Sequence, residues 1–215
     1  MSTNKSAQGE QCCSALTSEE IEILKYIFQT ILKFGRTPTT TEMRLALKKS
    51  DGNIIRTLNE LEKKDILLRK RGTQEIVSIY PLSLKPTEHQ ILLENGERLF
   101  AMCAVDALGM PIMFNRNIKV ISQCEKCKQK ITIEIKNEEI AWVSHPNIMI
   151  WSPRRQIAPA AETCCPLVNF FCCKEHLEGW TKENPDLIGK ISEIKQAFLR
   201  IKQCWRVYGE TVGFR

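Results

Sequence analysis

The sequence predicts an α+β fold: a small helical unit at the N-terminus, followed by a larger α+β unit with antiparallel strands. Three observations predict it. Between Thr17 and Leu61 apolar residues recur at helical spacing in three short blocks, each opened by capping residues. Over 66–80, and again over 118–136, the pattern changes to β-rich composition and alternation of apolar with polar residues. Pro81 and Pro86 punctuate the chain between these regions and place a boundary near residue 82. The expected organisation is a polar tail over 1–16, a helical unit over 17–82 and an α+β unit over 83–215.

In the helical unit, Thr17 and Glu20 have capping-box spacing, and Leu16 is placed to staple onto Ile21. Ile21, Leu24, Ile27, Phe28, Ile31 and Leu32 then line one face, until Gly35 ends the helix. Thr39 and Glu42 repeat the capping box for a second helix through Leu45–Leu47. Asp51 or Asn53 is expected to cap a third, with Ile54, Ile55, Leu58 and Leu61 on its buried side. Ile66–Leu68, a turn at Gly72 and Glu75–Tyr80 read as a hairpin. Three helices and a hairpin make a winged-helix-like unit. Lys63, Lys64, Arg69, Lys70 and Arg71 gather where a DNA-binding wing would begin. Glu60, Glu62 and Asp65 interrupt them, and the third helix offers only Arg56 and Asn59 as readers of bases. A solvated charged face on a packing unit is the preferred reading, and DNA binding the weaker one.

In the second unit, 97–110 reads as a helix, with Leu99, Met102, Val105 and Met110 on its apolar side and Pro111 as its stop. Ile118–Gln123 and Lys130–Lys136 read as two strands around a Cys124-Glu-Lys-Cys127 turn. Ala141–Val143 and Asn147–Trp151 add further strands, and 152–163 reads as a loop. A last helix is expected over 186–208, with a packing stripe of Leu187, Ile191, Ile194, Phe198, Ile201 and Trp205.

Composition narrows the function classes. With 43% hydrophobic and 26% charged residues in 215, the chain can bury a core, and disorder over most of it is excluded. No stretch approaches the ~18–20 apolar residues of a membrane span, and 1–13 has no apolar region of the kind that signals export. A net charge of +6 is compatible with an anionic partner without pointing to one. The distinctive number is ten cysteines. In a cytoplasmic setting they read as reduced thiols, open to metal binding or nucleophilic chemistry.

Among them, Cys103 and Asp106 lie three apart, which on a helix sets their Cβ atoms roughly 5–6 Å apart. A carboxylate there raises the thiol pKa, but it can take the thiol proton when a thiophilic metal displaces it and hand that proton on. A structural cysteine beside a solvated aspartate is the commoner arrangement on spacing alone. Cys124 and Cys127 have half the spacing of a zinc knuckle, and no second Cys-x-x-Cys follows. A turn carrying incidental thiols is preferred there, with a zinc site using two later cysteines left open. Cys164-Cys165 falls in a Pro-flanked loop and is expected to be exposed. In Cys172-Cys173 one sulfur is expected to face a site and the other to pack away. His176 is a lone ligand or base candidate, and His89 and His145 carry no pattern.

Arg98-Leu-Phe-Ala-Met-Cys103-Ala-Val-Asp106-Ala-Leu followed by Pro111 resembles the first active-site segment of the organomercurial (alkylmercury) lyases. Phe170-Phe171-Cys172-Cys173, His176 and Trp180 resemble the second, and Glu193, Ala197 and Phe198 of the last helix are similar too. The resemblance spans roughly 17–205 and includes the winged-helix-like region. It implies a catalytic domain over 83–215 in which Cys103, Asp106 and Cys172 form the catalytic set. Cys103 and Cys172 would hold mercury, with Asp106 offering an oxygen. It further implies a structural Cys124 and a non-essential Cys173. The expected reaction is protonolysis of R–Hg⁺ to a hydrocarbon and Hg²⁺. No organic cofactor is expected; external thiols release the product, and a mercuric reductase accepts it. The chain departs from the family at Met102, where well-known members carry tryptophan, and at Lys174-Glu175, which set His176 further from the cysteine pair. A metal- or thiol-sensing winged-helix regulator is the competing class.

Overall fold

A computed structural model of the chain describes residues 16–154 and 158–215, so Cys12 and Cys13 lie outside the described residues. It opens with three helices, α1 (Ser18–Phe34), α2 (Thr40–Leu47) and α3 (Asp51–Lys63). Both expected capping boxes are formed, at Thr17/Glu20 and Thr39/Glu42, and Gly35 ends α1 with φ 67°. The cap of α3 is Ser50, whose hydroxyl accepts from the Asn53 N–H, rather than Asp51 or Asn53. Ser50 satisfies the same orphan N–H one position earlier, which starts the helix at Asp51.

Strands β1 (Leu67–Arg69) and β2 (Ile76–Ile79) form the expected hairpin. Four of the five basic residues gathered there are engaged within the chain. Lys63 pairs with Glu60, Lys64 with Glu20, Arg69 with Glu62 and Lys70 with Glu75. The two base-reader candidates are engaged as well, Arg56 with Glu19 and Asn59 as an acceptor from Arg69.

The hairpin does not stop at the prolines. Strands β3 (Leu82–Ser83), β4 (Gln90–Leu93), β5 (Arg98–Ala101), β6 (Ile118–Gln123), β7 (Lys130–Lys136) and β8 (Glu139–Val143) continue it. The result is one antiparallel sheet of order β1-β2-β3-β5-β4-β6-β7-β8. The β6–β7 hairpin is as expected, with Val120 opposite Ile133 on the buried face. A second sheet, β10-β9-β11, joins β9 (Met149–Pro153), β10 (Asn169–Phe171) and β11 (Gly189–Glu193). Between β9 and β10 lie a one-turn helix α5 (Ala160–Thr163) and a 3₁₀ turn at Cys165–Leu167. Helix α6 (Lys174–Glu183) follows β10.

Two expected helices are shorter than their periodicity implied. Over 97–110, residues 98–101 are strand β5, paired with β3 and β4, and helix α4 is Ala104–Met113. Pro111 lies inside α4 rather than ending it, because the helix runs only to Met113 and the Phe114 N–H still reaches the Met110 carbonyl. Over 186–208, residues 189–193 pair with β9 as β11, and helix α7 is Ile194–Thr211. In both cases a short apolar run fits either period, and an available sheet edge decides.

Helix α4 is buried on every side, against α7 and the sheets. A Cβ on Gly109 would lie 2.1 Å from the Trp205 ring of α7, and one on Gly209 would lie 2.4 Å from the Met113 carbonyl oxygen. The two glycines let the helix axes approach closely. Phe28 of α1, Phe114 and Phe214 meet edge to face, so the N-terminal helices share the core of α4. No helix among the described residues is long and apolar enough to cross a membrane.

Candidate active site

Cys103 is the N-cap of α4. Its sulfur accepts from the Asp106 N–H at 3.4 Å. This is a side-chain N-cap with sulfur in the place of a hydroxyl. The three-residue spacing thus serves a helix start, not a mid-helix face, and local geometry alone sets thiol beside carboxyl.

The third member comes from the 3₁₀ turn. The Cys165 thiol donates to Asp106 Oδ2 at 3.9 Å, and the reactive atoms of Cys103, Asp106 and Cys165 all lie within 4.8 Å of one another. All three residues are buried, Asp106 to 1% exposure. A backbone bond and a side-chain carboxylate tie the segment there. The Ala104 N–H donates to the Val168 carbonyl at 3.0 Å, and the Asp65 carboxylate accepts from the Ala160 N–H at 3.0 and 3.1 Å.

Electrostatics favour neutral forms in this enclosure. Burial pushes the Asp106 carboxyl up to about 7, against hydrogen bonds from Cys103, Tyr80 and Cys165 that favour its anion. Burial, the Cys165 contact and the Asp106 charge push the Cys103 thiol well up. At Cys165 the Cys103 hydrogen bond favours the thiolate, yet burial and the charge of Asp106 leave the thiol raised. The site therefore holds thiols beside a carboxyl that changes protonation near neutrality.

Tyr80, which sequence reasoning did not single out, donates to Asp106 and stacks on Trp205 with centroids 5.0 Å apart. Its only signal was an aromatic residue closing a strand next to Pro81. Beside the site opens a cleft of about 370 Å³, lined by Met102, Pro166, Ser78, His89 and Asn169 among others. His89 in its wall is held neutral by burial, at about 4, with Nδ1 3.0 Å from the Ser122 hydroxyl.

Cys172, expected as the second thiol beside Cys103, does not join this group. It gathers instead with Cys124, Cys127 and His176. Strand β10 is the reason. The chain preceding β10 is tied to the start of α4, whereas the Phe170 carbonyl within it accepts from Glu125 N–H of the β6–β7 turn at 2.9 Å. Cysteines on either side of the strand therefore reach different clusters. Cys164-Cys165 is also not exposed as expected: both residues are buried, with Cys165 facing the site. Cys173 caps α6. In the second group, burial pushes the Cys124 thiol up, but backbone N–H groups of Cys127, Cys172 and Lys126 directed at its sulfur outweigh this and bring it to about 7.

Comparison with known proteins agrees with this architecture. The MerB alkylmercury lyase family model matches residues 82–205. Alkylmercury lyases from Bacillus cereus and Clostridium butyricum are each 24% identical over 181 residues, covering 82% of this chain and 79% of theirs. A crystal structure described as the mercury-bound form of MerB2 superposes with a TM-score of 0.79 at 26% identity, covering 94% of this chain and 96% of that one. The matched segment contains the β5–α4 junction, the Cys165 turn, strands β3 to β8 of the large sheet and all of the small one, and on this evidence the chain belongs to the alkylmercury lyase family.

Proposed function

We propose that this chain cleaves the carbon–mercury bond of R–Hg⁺ by protonolysis, giving a hydrocarbon and Hg²⁺. The observation that carries the reading is the buried group of two thiols and one carboxyl, Cys103, Asp106 and Cys165. Soft sulfur is the natural ligand for a soft heavy metal, and the substrate arrives as a thiol adduct, R–Hg–SR′. The Cys103 sulfur bonds to mercury and its proton leaves with the displaced R′SH. The Cys165 sulfur then bonds to mercury and gives its proton to the Asp106 carboxylate. The carbon–mercury bond breaks with its electron pair going to carbon, and Asp106 returns the proton to that carbon. The products are RH and Hg²⁺ held by the Cys103 and Cys165 sulfurs, and Asp106 is again a carboxylate.

A carboxyl that titrates near 7 suits this double duty: it is basic enough to take a thiol proton and acidic enough to give it up. The hydrogen bond from Tyr80 steadies the carboxylate between the two transfers. The cleft bordered by Met102 and Pro166 provides the approach for the organic group. The reading calls for no organic cofactor. Small thiols of a reducing cytoplasm carry Hg²⁺ away, or a mercuric reductase accepts it. We read the three N-terminal helices and their hairpin as a winged-helix-like unit used for packing. The regulator reading is not favoured, since four of its five clustered basic side chains and both base-reading candidates are spent on ion pairs and hydrogen bonds within the chain.

Headspace gas chromatography tests the proposal. With phenylmercury or methylmercury and excess thiol, the wild type releases benzene or methane. Asp106→Ala loses at least about 100-fold in that release while still binding mercury, the scale of a lost proton-transfer group. Hydrocarbon release by Asp106→Ala at the wild-type rate rejects the role given to Asp106.

A further inference from the structure

The four residues grouped around Cys172 take no part in the proposed chemistry, yet they form a complete donor set. Cys124 and Cys127 sit on the β6–β7 turn, Cys172 follows β10, and His176 lies in the first turn of α6. The Sγ atoms of Cys127 and Cys172 are 3.8 Å apart. Cys124 Sγ is 3.7 Å from His176 Nδ1, and Cys172 Sγ is 2.9 Å from the same nitrogen. All four donor atoms lie within 4.8 Å of one another.

These lengths can be set against a metal. With Zn–S about 2.3 Å and Zn–N about 2.0–2.1 Å, a tetrahedral site has S···S edges of about 3.8 Å and S···N edges of about 3.6 Å. Two of the three measured edges already have these lengths, and the third is a sulfur–nitrogen hydrogen bond that opens by about 0.7 Å with a small side-chain rotation. Cys124 is buried, and the turn closes on it through its own backbone: the Cys124 N–H donates to the Gln129 carbonyl and the Lys128 N–H to the Cys124 carbonyl, each at 2.8 Å. The Cys-x-x-Cys supplies one half of the ligand spacing and Cys172-x-x-x-His176 the other.

We propose that Cys124, Cys127, Cys172 and His176 bind one structural Zn²⁺ ion. All four tetrahedral positions are taken by protein, so this ion has a holding role and no open position for substrate. It clips the β6–β7 turn of the large sheet to the β10–α6 junction of the small one. The neighbouring ties, Glu125 N–H to the Phe170 carbonyl and the ion pair of Lys126 with Glu183, run between the same segments. Through β10 the clip also steadies the preceding turn that carries Cys165. The inference does not depend on the lyase reading, because its test involves no turnover.

The full chain, purified with its thiols kept reduced, is expected to carry one zinc per chain by mass spectrometry of the metal. Cobalt substitution is expected to give the visible bands of a tetrahedral ion, with sulfur-to-metal absorption of three thiolates. Cys127→Ser, at a half-exposed position, and His176→Asn are expected to weaken zinc at least 100-fold in competition with a chelating dye. Cys103→Ser with Cys165→Ser is expected to retain the zinc and the cobalt bands. The proposal is overturned if the reduced wild type takes up neither metal, or if a Cys127–Cys172 disulfide forms in place of the ion. Loss of the metal only in the Cys103→Ser, Cys165→Ser variant overturns it too, by moving the ion to the other cluster.

Discussion

Two thiols and a carboxyl can exchange protons only if none is locked in its charged form, and burial provides this at Cys103, Asp106 and Cys165. The proposed cycle starts from the Asp106 carboxylate, which must be free to take the Cys165 proton. Since that carboxyl titrates at about 7, kcat/KM should rise with pH, tenfold per unit below about 7 and level above it. A flat profile from about pH 5 to 8 would remove Asp106 from the acceptor role. The adjacent cysteines provide a second comparison. Cys165→Ser should lose at least about 100-fold in hydrocarbon release, because an alcohol neither binds mercury nor yields its proton as readily. Cys164→Ser should stay within about threefold, since its sulfur lies outside the reactive group. Equal losses in the two variants, followed by headspace analysis, would mean that the doublet acts as a unit.

The elements that carry these residues are held by close approaches more than by propensity. Helix α4 has a proline in it and no exposed face, so its position rests on packing against α7. The Trp205 ring lies directly over Gly109 and stacks on Tyr80, which hydrogen-bonds Asp106. Gly109→Ala should therefore force that ring to move, destabilising the fold by about 1–3 kcal/mol. It should also shift the pH limb assigned to Asp106, because the tyrosine moves with the ring. Thermal melts with an unchanged Tm would show that the ring has room to retreat.

Across the whole molecule, the N-terminal helical unit and the rest of the chain are joined by one sheet and one aromatic core. Asp65, just after α3, reaches the Ala160 N–H at the start of α5 and so supports the turn bearing Cys165. Asp65→Ala leaves that N–H unpaired, a loss of about 1–3 kcal/mol. Amide exchange over 160–168 should quicken and kcat/KM fall about tenfold with Asp106 chemistry otherwise intact, a tenfold change being about 1.4 kcal/mol. Unchanged exchange in that segment would confine Asp65 to its own unit.

Much of this was readable along the chain: the capping boxes at Thr17 and Thr39, the hairpin around Cys124 and Cys127, and the neighbourhood of Cys103 with Asp106. Each depends on residues a few positions apart, where backbone geometry alone sets the distance. The placing of Cys165, and not Cys172, beside Cys103 and Asp106, the gathering of Cys172 with His176 and the turn, and the place of Tyr80 were not readable in the same way. Each joins segments far apart in sequence, and its distance follows from which strand edges pair and which faces are buried. Short apolar runs such as 98–101 and 189–193 satisfy strand and helix alike, so only the completed sheets select between them.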